Sequence, residues 1–181
     1  MDDLNLIEKE TKRKRIYTGK ILNLDRITVR LPNGREAYRE VVLHKGAAAV
    51  LPVNERGEAA MVRQYRASLG AVTLEIPAGK LDAAGEDPLD CAIRELKEET
   101  GLSAERMKFL VKMHSAAGFC NEAVSIYLAT GLSQSEASPD EGEFVNVSWF
   151  PLDELYEMAL NGGISDSKTL IAILMAKQVM G

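Results

Sequence analysis

A strongly signalled helix between Pro88 and Gly101 is the sequence feature that most constrains how this chain can fold. Asp87 is a residue type that caps helix N-termini, Pro88 suits the first helical position, and Gly101 suits the left-handed conformation that ends a helix. Apolar residues recur between the caps at helical spacing and predict one apolar stripe, made of Leu89, Ala92, Ile93 and Leu96. The segment therefore predicts a capped amphipathic helix.

Three glutamates lie close together on this predicted helix. Glu95 and Glu99 are one helical turn apart on the same face, and Glu98 lies beside them. Like charges at this spacing destabilise a helix, and a hard divalent cation with oxygen ligands would compensate for their repulsion. The alternative is a solvated charged face, which is what most Glu-rich helix surfaces are. Taken alone, the three glutamates do not decide between a metal site and a solvated face.

The residues around the helix fit a longer pattern that favours the metal site. Glu86 is followed, after seven residues, by Arg94-Glu95-Leu96-x-Glu98-Glu99-x-Gly101-Leu102. This resembles the Nudix box, Gly-x5-Glu-x7-Arg-Glu-U-x-Glu-Glu-x-Gly-U, in which U is a bulky aliphatic residue. So many fixed positions coincide by chance with odds below about one in a million. Six residues instead of five separate Gly79 from Glu86, and the extra one falls in the loop at 82–85, so the spacing of the helix carboxylates is unaffected.

Length, composition and charge indicate one soluble globular domain. The chain has 181 residues, with 46% hydrophobic and 27% charged residues, which is ordinary for that class. Its net charge of −5 argues against a sequence-independent nucleic-acid binder, which needs a basic surface. No apolar run reaches membrane-spanning length and no signal peptide is recognisable, so we expect a cytoplasmic protein. Cys91 and Cys120 are too few for a disulfide framework or a zinc site, and Cys91 is expected to be a packed core residue.

The first part of the chain predicts antiparallel strands. Residues 1–13 are polar and charged and are expected to be loosely ordered at the start. Strands are predicted from Lys14 onward, at Lys14–Lys20, Ile21–Leu31 and Glu36–Leu43, the last two joined by a turn at 32–34. We interpret residues 1–43 as a subdomain ahead of a catalytic domain at 44–181. An edge meander of the same sheet is the alternative.

The remainder predicts alternating strands and helices. Apolar runs at Ala47–Val53 and Ala59–Tyr65 predict a core hairpin. Further strands are predicted at Thr73–Ile76, Lys108–Ser115, Val124–Ala129 and Phe144–Phe150, and helices from Pro151 to about Leu160 and after the capping residue Asp166. The expected apolar face of the last helix comprises Leu170, Ile171, Leu174, Met175 and Val179. This order predicts a layered α/β fold with a mixed sheet, which agrees with the α/β/α sandwich that the Nudix resemblance implies.

The resemblance also implies the chemistry of a site. Nudix hydrolases cleave a nucleoside diphosphate linked to another moiety, and metal ions neutralise the pyrophosphate charge and activate water. The implied metal ligands are Glu95 and Glu99, with Glu98 as a third or bridging ligand and the backbone carbonyl of Ala78 as another. Arg94 would orient the helix carboxylates by ion pairing. The implied cofactor is Mg²⁺, with Mn²⁺ as an alternative.

A second acidic cluster, Asp140-Glu141-Gly142-Glu143, lies in the polar loop before the Phe144 strand. An isolated acidic loop is more often a solvated turn than a site. The ADP-ribose pyrophosphatase branch of the Nudix family, however, carries a Glu-x-Glu pair in a mobile loop at this point. That resemblance implies that Glu141 is the general base and Glu143 a metal ligand, with Glu98 as the alternative base.

The resemblance to this branch covers nearly the whole chain. It includes the segment from Glu75 to Leu81, the loop at 115–122 and the start of the last helix at 166–169. In this branch the N-terminal strands form a homodimer whose partner chain helps to hold the adenine. Ala117 stands where the branch typically has a proline, and Ile21 stands where an adenine-stacking aromatic residue is expected, with Tyr17 near enough to replace it. The positions that match substrate contacts are Lys20, Ile21, Arg39, Glu40, Lys45, Arg66, Lys80 and Glu122.

The resemblance thus predicts a Mg²⁺-dependent pyrophosphatase that converts ADP-ribose to AMP and ribose 5-phosphate. It predicts a small nucleotide substrate and a homodimer, with neither nucleic acid nor membrane as a partner. A second hypothesis keeps the metal site but changes the substrate to another nucleotide sugar or to a nucleoside triphosphate. A third is a sensor that binds nucleotides without turnover; members of that kind usually lack box carboxylates, all of which are present here.

Overall fold

The computed structural model of the protein describes residues 3–82, 85–134 and 144–180, which divide into two compact units. Unit one comprises Met1–Lys45 and His114–Glu122, and unit two comprises Gly46–Met113 and Ala123–Gly181. Within these described ranges, none of the helices is long and apolar enough to cross a membrane.

Unit one is built on an antiparallel sheet of three strands, in the order β1-β2-β3. These strands are β1 (Lys9–Thr18), β2 (Asn23–Arg30) and β3 (Glu36–Leu43). The predicted turn between β2 and β3 is confirmed, with Gly34 at a φ of 83° that favours glycine. The first strand was predicted only from Lys14, but β1 begins at Lys9. Every β1 residue is exposed, so β1 lacks the apolar alternation that identifies a strand in sequence.

Unit two contains two sheets. The mixed sheet has the order β7-β4-β9-β8, with β4 parallel to β9 and antiparallel to β7. The antiparallel sheet has the order β10-β5-β6. The bounds of these strands are β4 Ala47–Pro52, β5 Glu58–Arg66, β6 Ala71–Glu75, β7 Ala78–Lys80, β8 Leu102–His114, β9 Ala123–Gln134 and β10 Asn146–Pro151.

Helices cover both faces of the mixed sheet. They are α1 (Pro88–Thr100), α2 (Leu152–Leu160) and α3 (Ser167–Met180). Successive residues of β4 point to opposite faces: Val50 packs in one buried cluster with Leu96 of α1, and Leu51 packs in the other with Ile173 of α3. The predicted α/β/α sandwich with a mixed sheet is therefore confirmed.

The predicted caps of α1 are confirmed, but its buried face differs from the prediction. The Leu89 N–H donates to Asp87 Oδ1 at 2.8 Å, and Gly101 ends the helix with a φ of 65°. Ile93 is 47% exposed, whereas Glu95 and Glu99 are buried. The helix thus directs two carboxylates towards the sheet, and their burial moves Ile93 out of the apolar stripe.

Two other predictions about packing are wrong. The expected core hairpin does not form, because β4 and β5 belong to different sheets. The pairing next to the turn between them is an isolated antiparallel bridge from Val53 to Ala59. The buried face of α3 also differs from the one predicted. Leu174 and Val179 are exposed, and the helix buries Thr169, Ala172, Ile173 and Ala176. Because α3 is apolar at most positions, periodicity does not select a face, and the small alanines allow close approach to the sheet.

Candidate active site

Strand β7 brings backbone groups against the buried carboxylates of α1. Its residues pair with Ala47, Ala48 and Ala49 of β4, the strand on which α1 also packs. The Ala78 N–H donates to Glu99 Oε2 at 3.1 Å. Strand β7, which precedes the helix in sequence, is therefore bonded to the helix through Glu99, one of the predicted metal ligands. Sequence spacing alone does not reveal this contact.

Gly79 is required for the close approach of Glu95 to this segment. A Cβ atom added at Gly79 would lie 1.7 Å from Oε1 and 2.0 Å from Cδ of Glu95. No real Cβ contact is that short, so any larger residue would displace the carboxylate. This gives a physical reason for glycine at the first position of the box.

Arg94 is bonded to carboxylates on both sides of its guanidinium group. Its Nη1 donates to Glu95 Oε1 at 2.7 Å and to Glu98 Oε2 at 2.9 Å. Its Nη2 pairs with Asp82 at 3.3 Å and with Glu86 at 3.5 Å. Burial lowers the pKa of Arg94, but its bonds to Glu98 and Glu95 outweigh that effect and raise the pKa. One permanently charged guanidinium therefore faces four carboxylates.

The carboxylates of the described residues are of the type that binds a hard divalent cation, although their side chains are not arranged as metal ligands. Within the described ranges, no group of three or more His, Cys, Asp or Glu side chains has the arrangement of one. Arg94 donates to Glu95 and Glu98, while Glu99 accepts from the Ala78 N–H. Glu95 and Glu99 are only 7% and 5% exposed, and burying carboxylates is costly unless positive charge compensates. Two buried carboxylates close to each other are oxygen ligands of the kind that Mg²⁺ prefers.

Arg66, a predicted substrate contact at the end of β5, belongs to a second charged cluster of unit two. Its Nε and Nη2 donate to the two carboxylate oxygens of Glu75 at 2.7 and 2.5 Å. Lys168 of α3 donates to the same carboxylate. Burial raises the pKa of Glu75, but the Arg66 hydrogen bonds and the charge of Lys168 outweigh it and lower the pKa to about 2.

Thr169 connects α3 to the segment that leads into β7. It is fully buried, its Oγ1 accepts from the Ile76 N–H at 2.9 Å, and its own N–H donates to Asp166 Oδ2 at 3.0 Å. No role for Glu75, Lys168 or Thr169 was predicted from the sequence. The available signal was that all three lie in segments that resemble the ADP-ribose pyrophosphatase branch.

The predicted substrate contacts are divided between the units. Arg66 and Lys80 belong to unit two, where the Lys80 carbonyl accepts from Arg94 at 3.2 Å. In unit one, Arg39 pairs with Glu8, and Glu122 lies 3.3 Å from His44 Nδ1. The other predicted contacts of unit one are Lys20, Ile21, Glu40 and Lys45.

Two of the predicted site residues cannot be placed. Glu141 and Glu143, with the neighbouring Asp140, lie outside the described residues. Their assignments as general base and metal ligand remain predictions.

Comparison with known proteins supports the interpretation of the box. The NUDIX domain matches residues 43–172. A methanol dehydrogenase activator of Bacillus methanolicus is 43% identical over 92% of this chain and 90% of that protein. An ADP-ribose pyrophosphatase of Bacillus subtilis is 39% identical over 93% of this chain and 92% of that protein. The crystal structure of an ADP compounds hydrolase has the same fold, with a TM-score of 0.84 at 19% identity over 96% of this chain and 94% of that one. With its box carboxylates arranged around Arg94 and Gly79, this chain belongs to the Nudix family.

Proposed function

We propose that this protein is a Mg²⁺-dependent hydrolase that cleaves the pyrophosphate bond of ADP-ribose to give AMP and ribose 5-phosphate. The observation that carries the proposal is the burial of Glu95 and Glu99 against the backbone of Ala78 and Gly79. Similarity to the ADP-ribose pyrophosphatase of Bacillus subtilis over nearly the whole chain supports the choice of substrate.

The residues present would hold the metal ion and bind the diphosphate. Glu95, Glu98, Glu99 and the Ala78 carbonyl would be its ligands, together with Glu143. The ion, when bound, neutralises phosphate charge and lowers the pKa of water. Arg94 keeps the helix carboxylates in one orientation through its bonds to Glu95 and Glu98.

The reaction itself is a displacement at phosphorus. A water oxygen attacks one phosphorus of the pyrophosphate, a carboxylate takes the water proton, and the bridging oxygen leaves with the other phosphate. Glu141 is the proposed base and Glu98 the alternative. Arg66 and Lys80 would bind phosphate oxygens, for which a planar guanidinium and a compact ammonium are both suited. Another nucleotide sugar would use the same groups.

We also propose that the protein is a cytoplasmic homodimer, with residues 1–43 as the dimerising and substrate-binding domain and 44–181 as the Nudix domain. Strand β1 supports the dimer: it is an edge strand with ten exposed residues, and an unpaired edge is a ready site for association. Light scattering on the purified protein tests it, and a monomer at micromolar concentration would contradict it.

The similarity to the Bacillus methanolicus protein favours a second candidate function, the activation of a methanol dehydrogenase. The measurement is the rate of a methanol dehydrogenase with and without this protein. An increase that survives loss of hydrolytic activity would separate this function from the first.

The substitution Glu99→Gln tests the metal site directly. It removes one ligand charge but retains an acceptor for the Ala78 N–H, so we expect turnover of ADP-ribose in Mg²⁺ to fall by more than about 100-fold. Asp90→Asn is the matched control, because it removes an equal charge from an exposed position of the same helix. Retention of full activity by a folded Glu99→Gln variant would overturn the metal assignment.

A further inference from the structure

The Glu75 carboxylate, which accepts hydrogen bonds from Arg66, has no role in the proposed hydrolysis, yet it is one of the most buried charges of unit two. Glu75 is 2% exposed, and both of its oxygens accept from Arg66. This two-point contact fixes the plane of the guanidinium group. Among the described residues, none accepts a hydrogen bond from Arg66 Nη1, and 39% of the Arg66 side chain is exposed. The outward edge of the guanidinium is thus presented in a fixed orientation.

Lys168 holds the same carboxylate from α3. Its ammonium group donates to Glu75 and also pairs with Asp166 Oδ2 at 3.0 Å, and its side chain is only 13% exposed. A fourth bond to Glu75 comes from the Thr73 hydroxyl on the same strand. The carboxylate that orients Arg66 is therefore itself held by two elements, β6 and α3.

The cluster lies close to the carboxylates of α1. Three residues after Glu75 in sequence, the Ala78 N–H donates to Glu99. The pKa of Arg66 is raised first by its hydrogen bond to Glu75, and the charge of Glu99 adds to the rise. The Arg66 guanidinium is accordingly within electrostatic range of Glu99, one of the predicted metal ligands.

We propose that Glu75 and Lys168 are positioning residues for the diphosphate substrate. Glu75 fixes Arg66 so that Nη1 meets a substrate phosphate oxygen, and Lys168 keeps Glu75 in place from α3. This rests on the proposed function, and it adds two residues that act only through Arg66. Fixing a long side chain before binding removes an entropic cost that the substrate would otherwise have to offset.

The test is a double-mutant cycle between Lys168 and Arg66, with ADP-ribose turnover in Mg²⁺ as the readout. Lys168→Met keeps most of the aliphatic stem but removes the bond to Glu75, and we expect KM to rise about tenfold while kcat changes less than about threefold. Lys168→Arg should restore KM to within about threefold. In an Arg66→Ala background, Lys168→Met should cause no further loss, because the two residues act as one unit.

Lys177→Met is the matched control. Lys177 lies on the same helix and bonds to Asp153 at 2.6 Å, so its removal also breaks an α3 ion pair but should leave KM unchanged. Arg66→Lys provides a second test at a partly exposed position, because an ammonium group cannot make the two-point contact. We expect it to raise KM at least tenfold. The dissociation constant of ADP-ribose, measured in EDTA so that no turnover occurs, should rise in the variants in which KM rises and stay unchanged in the others.

Two results would overturn the positioning roles: an unchanged KM in Lys168→Met, or an equal loss with and without Arg66. Failure of the proposed function is distinguishable, because it appears in the wild-type protein as an absence of ADP-ribose cleavage. If wild type cleaves a different diphosphate, the same cycle is measured on that substrate. If it neither binds nor cleaves any diphosphate, the positioning roles are refuted together with the proposed function.

Discussion

The buried Glu75 carboxylate makes a quantitative contribution to stability that depends on pH. Arg66, Lys168 and the Thr73 hydroxyl all bond to it, and the neighbouring Asp166 bonds to Lys168. Together they lower the pKa of Glu75 from 4.5 to about 2. At about 1.4 kcal/mol per pKa unit, this corresponds to about 3 kcal/mol of folding free energy.

The sign follows from the direction of the pKa change. Because the folded-state pKa lies below the unfolded value, the stabilisation is complete above pH 4.5 and is lost as the pH falls towards 2. Glu75→Gln resembles the protonated carboxyl group at every pH. The free energy of unfolding of the wild type should therefore exceed that of Glu75→Gln by about 3 kcal/mol at pH 7. This difference in unfolding free energy should decrease to about 1.4 kcal/mol at pH 3.

Urea unfolding of both proteins at pH 7 and pH 3 measures this difference. Acids elsewhere titrate equally in the two proteins, so only the difference between them is informative. Glu105→Gln is the control, because the Glu105 side chain is 75% exposed and pairs with Arg106 at a distance of 3.9 Å. This substitution should not change the unfolding free energy at either pH. Equal unfolding free energies of wild type and Glu75→Gln at pH 7 would refute this explanation. A difference at pH 7 that does not decrease at pH 3 would refute it as well.

Two further predictions concern Gly79 and Cys91. Gly79→Ala should lower ADP-ribose turnover at least about tenfold, because the added Cβ displaces Glu95. Gly162→Asn is the control and should not lower turnover, since a Cβ added at that turn meets nothing within 4 Å. Equal turnover in wild type and Gly79→Ala would contradict the site geometry. Burial raises the pKa of the Cys91 thiol to about 12, so at pH 8 a thiol reagent should modify the half-buried Cys120 but not Cys91 in the native protein, and both cysteines in denaturant. Modification of Cys91 in the native protein, identified by peptide mass, would show that it is accessible.

Local signals in the sequence were sufficient for the elements that determine their own conformation. The caps of α1 and the turn at Gly34 depend on residues adjacent in sequence, and both were predicted correctly. The spacing of Glu95 and Glu99 likewise placed both carboxylates on one face of the helix. These features need no knowledge of tertiary contacts.

Features that depend on tertiary contacts could not be predicted in this way. Nothing in the local pattern shows that β4 pairs with β9 instead of β5, since both candidate partners are apolar strands. The burial of Glu95 instead of Ile93 depends on the approach of Gly79, which lies sixteen residues earlier in the chain. The Arg66–Glu75–Lys168 cluster includes a bond between Glu75 and Lys168, which are 93 positions apart, and each residue taken alone resembles an ordinary surface charge.

We propose above all that this chain hydrolyses ADP-ribose at a metal site formed by the box glutamates. The most direct measurement is product analysis by chromatography after incubation with ADP-ribose, other nucleotide sugars and nucleoside triphosphates, each in Mg²⁺ and in EDTA. We predict AMP and ribose 5-phosphate from ADP-ribose, faster than any product from the other compounds, in Mg²⁺ only. Faster cleavage of another compound would contradict the substrate assignment, and the absence of cleavage of any compound in Mg²⁺ would contradict the enzymatic function itself.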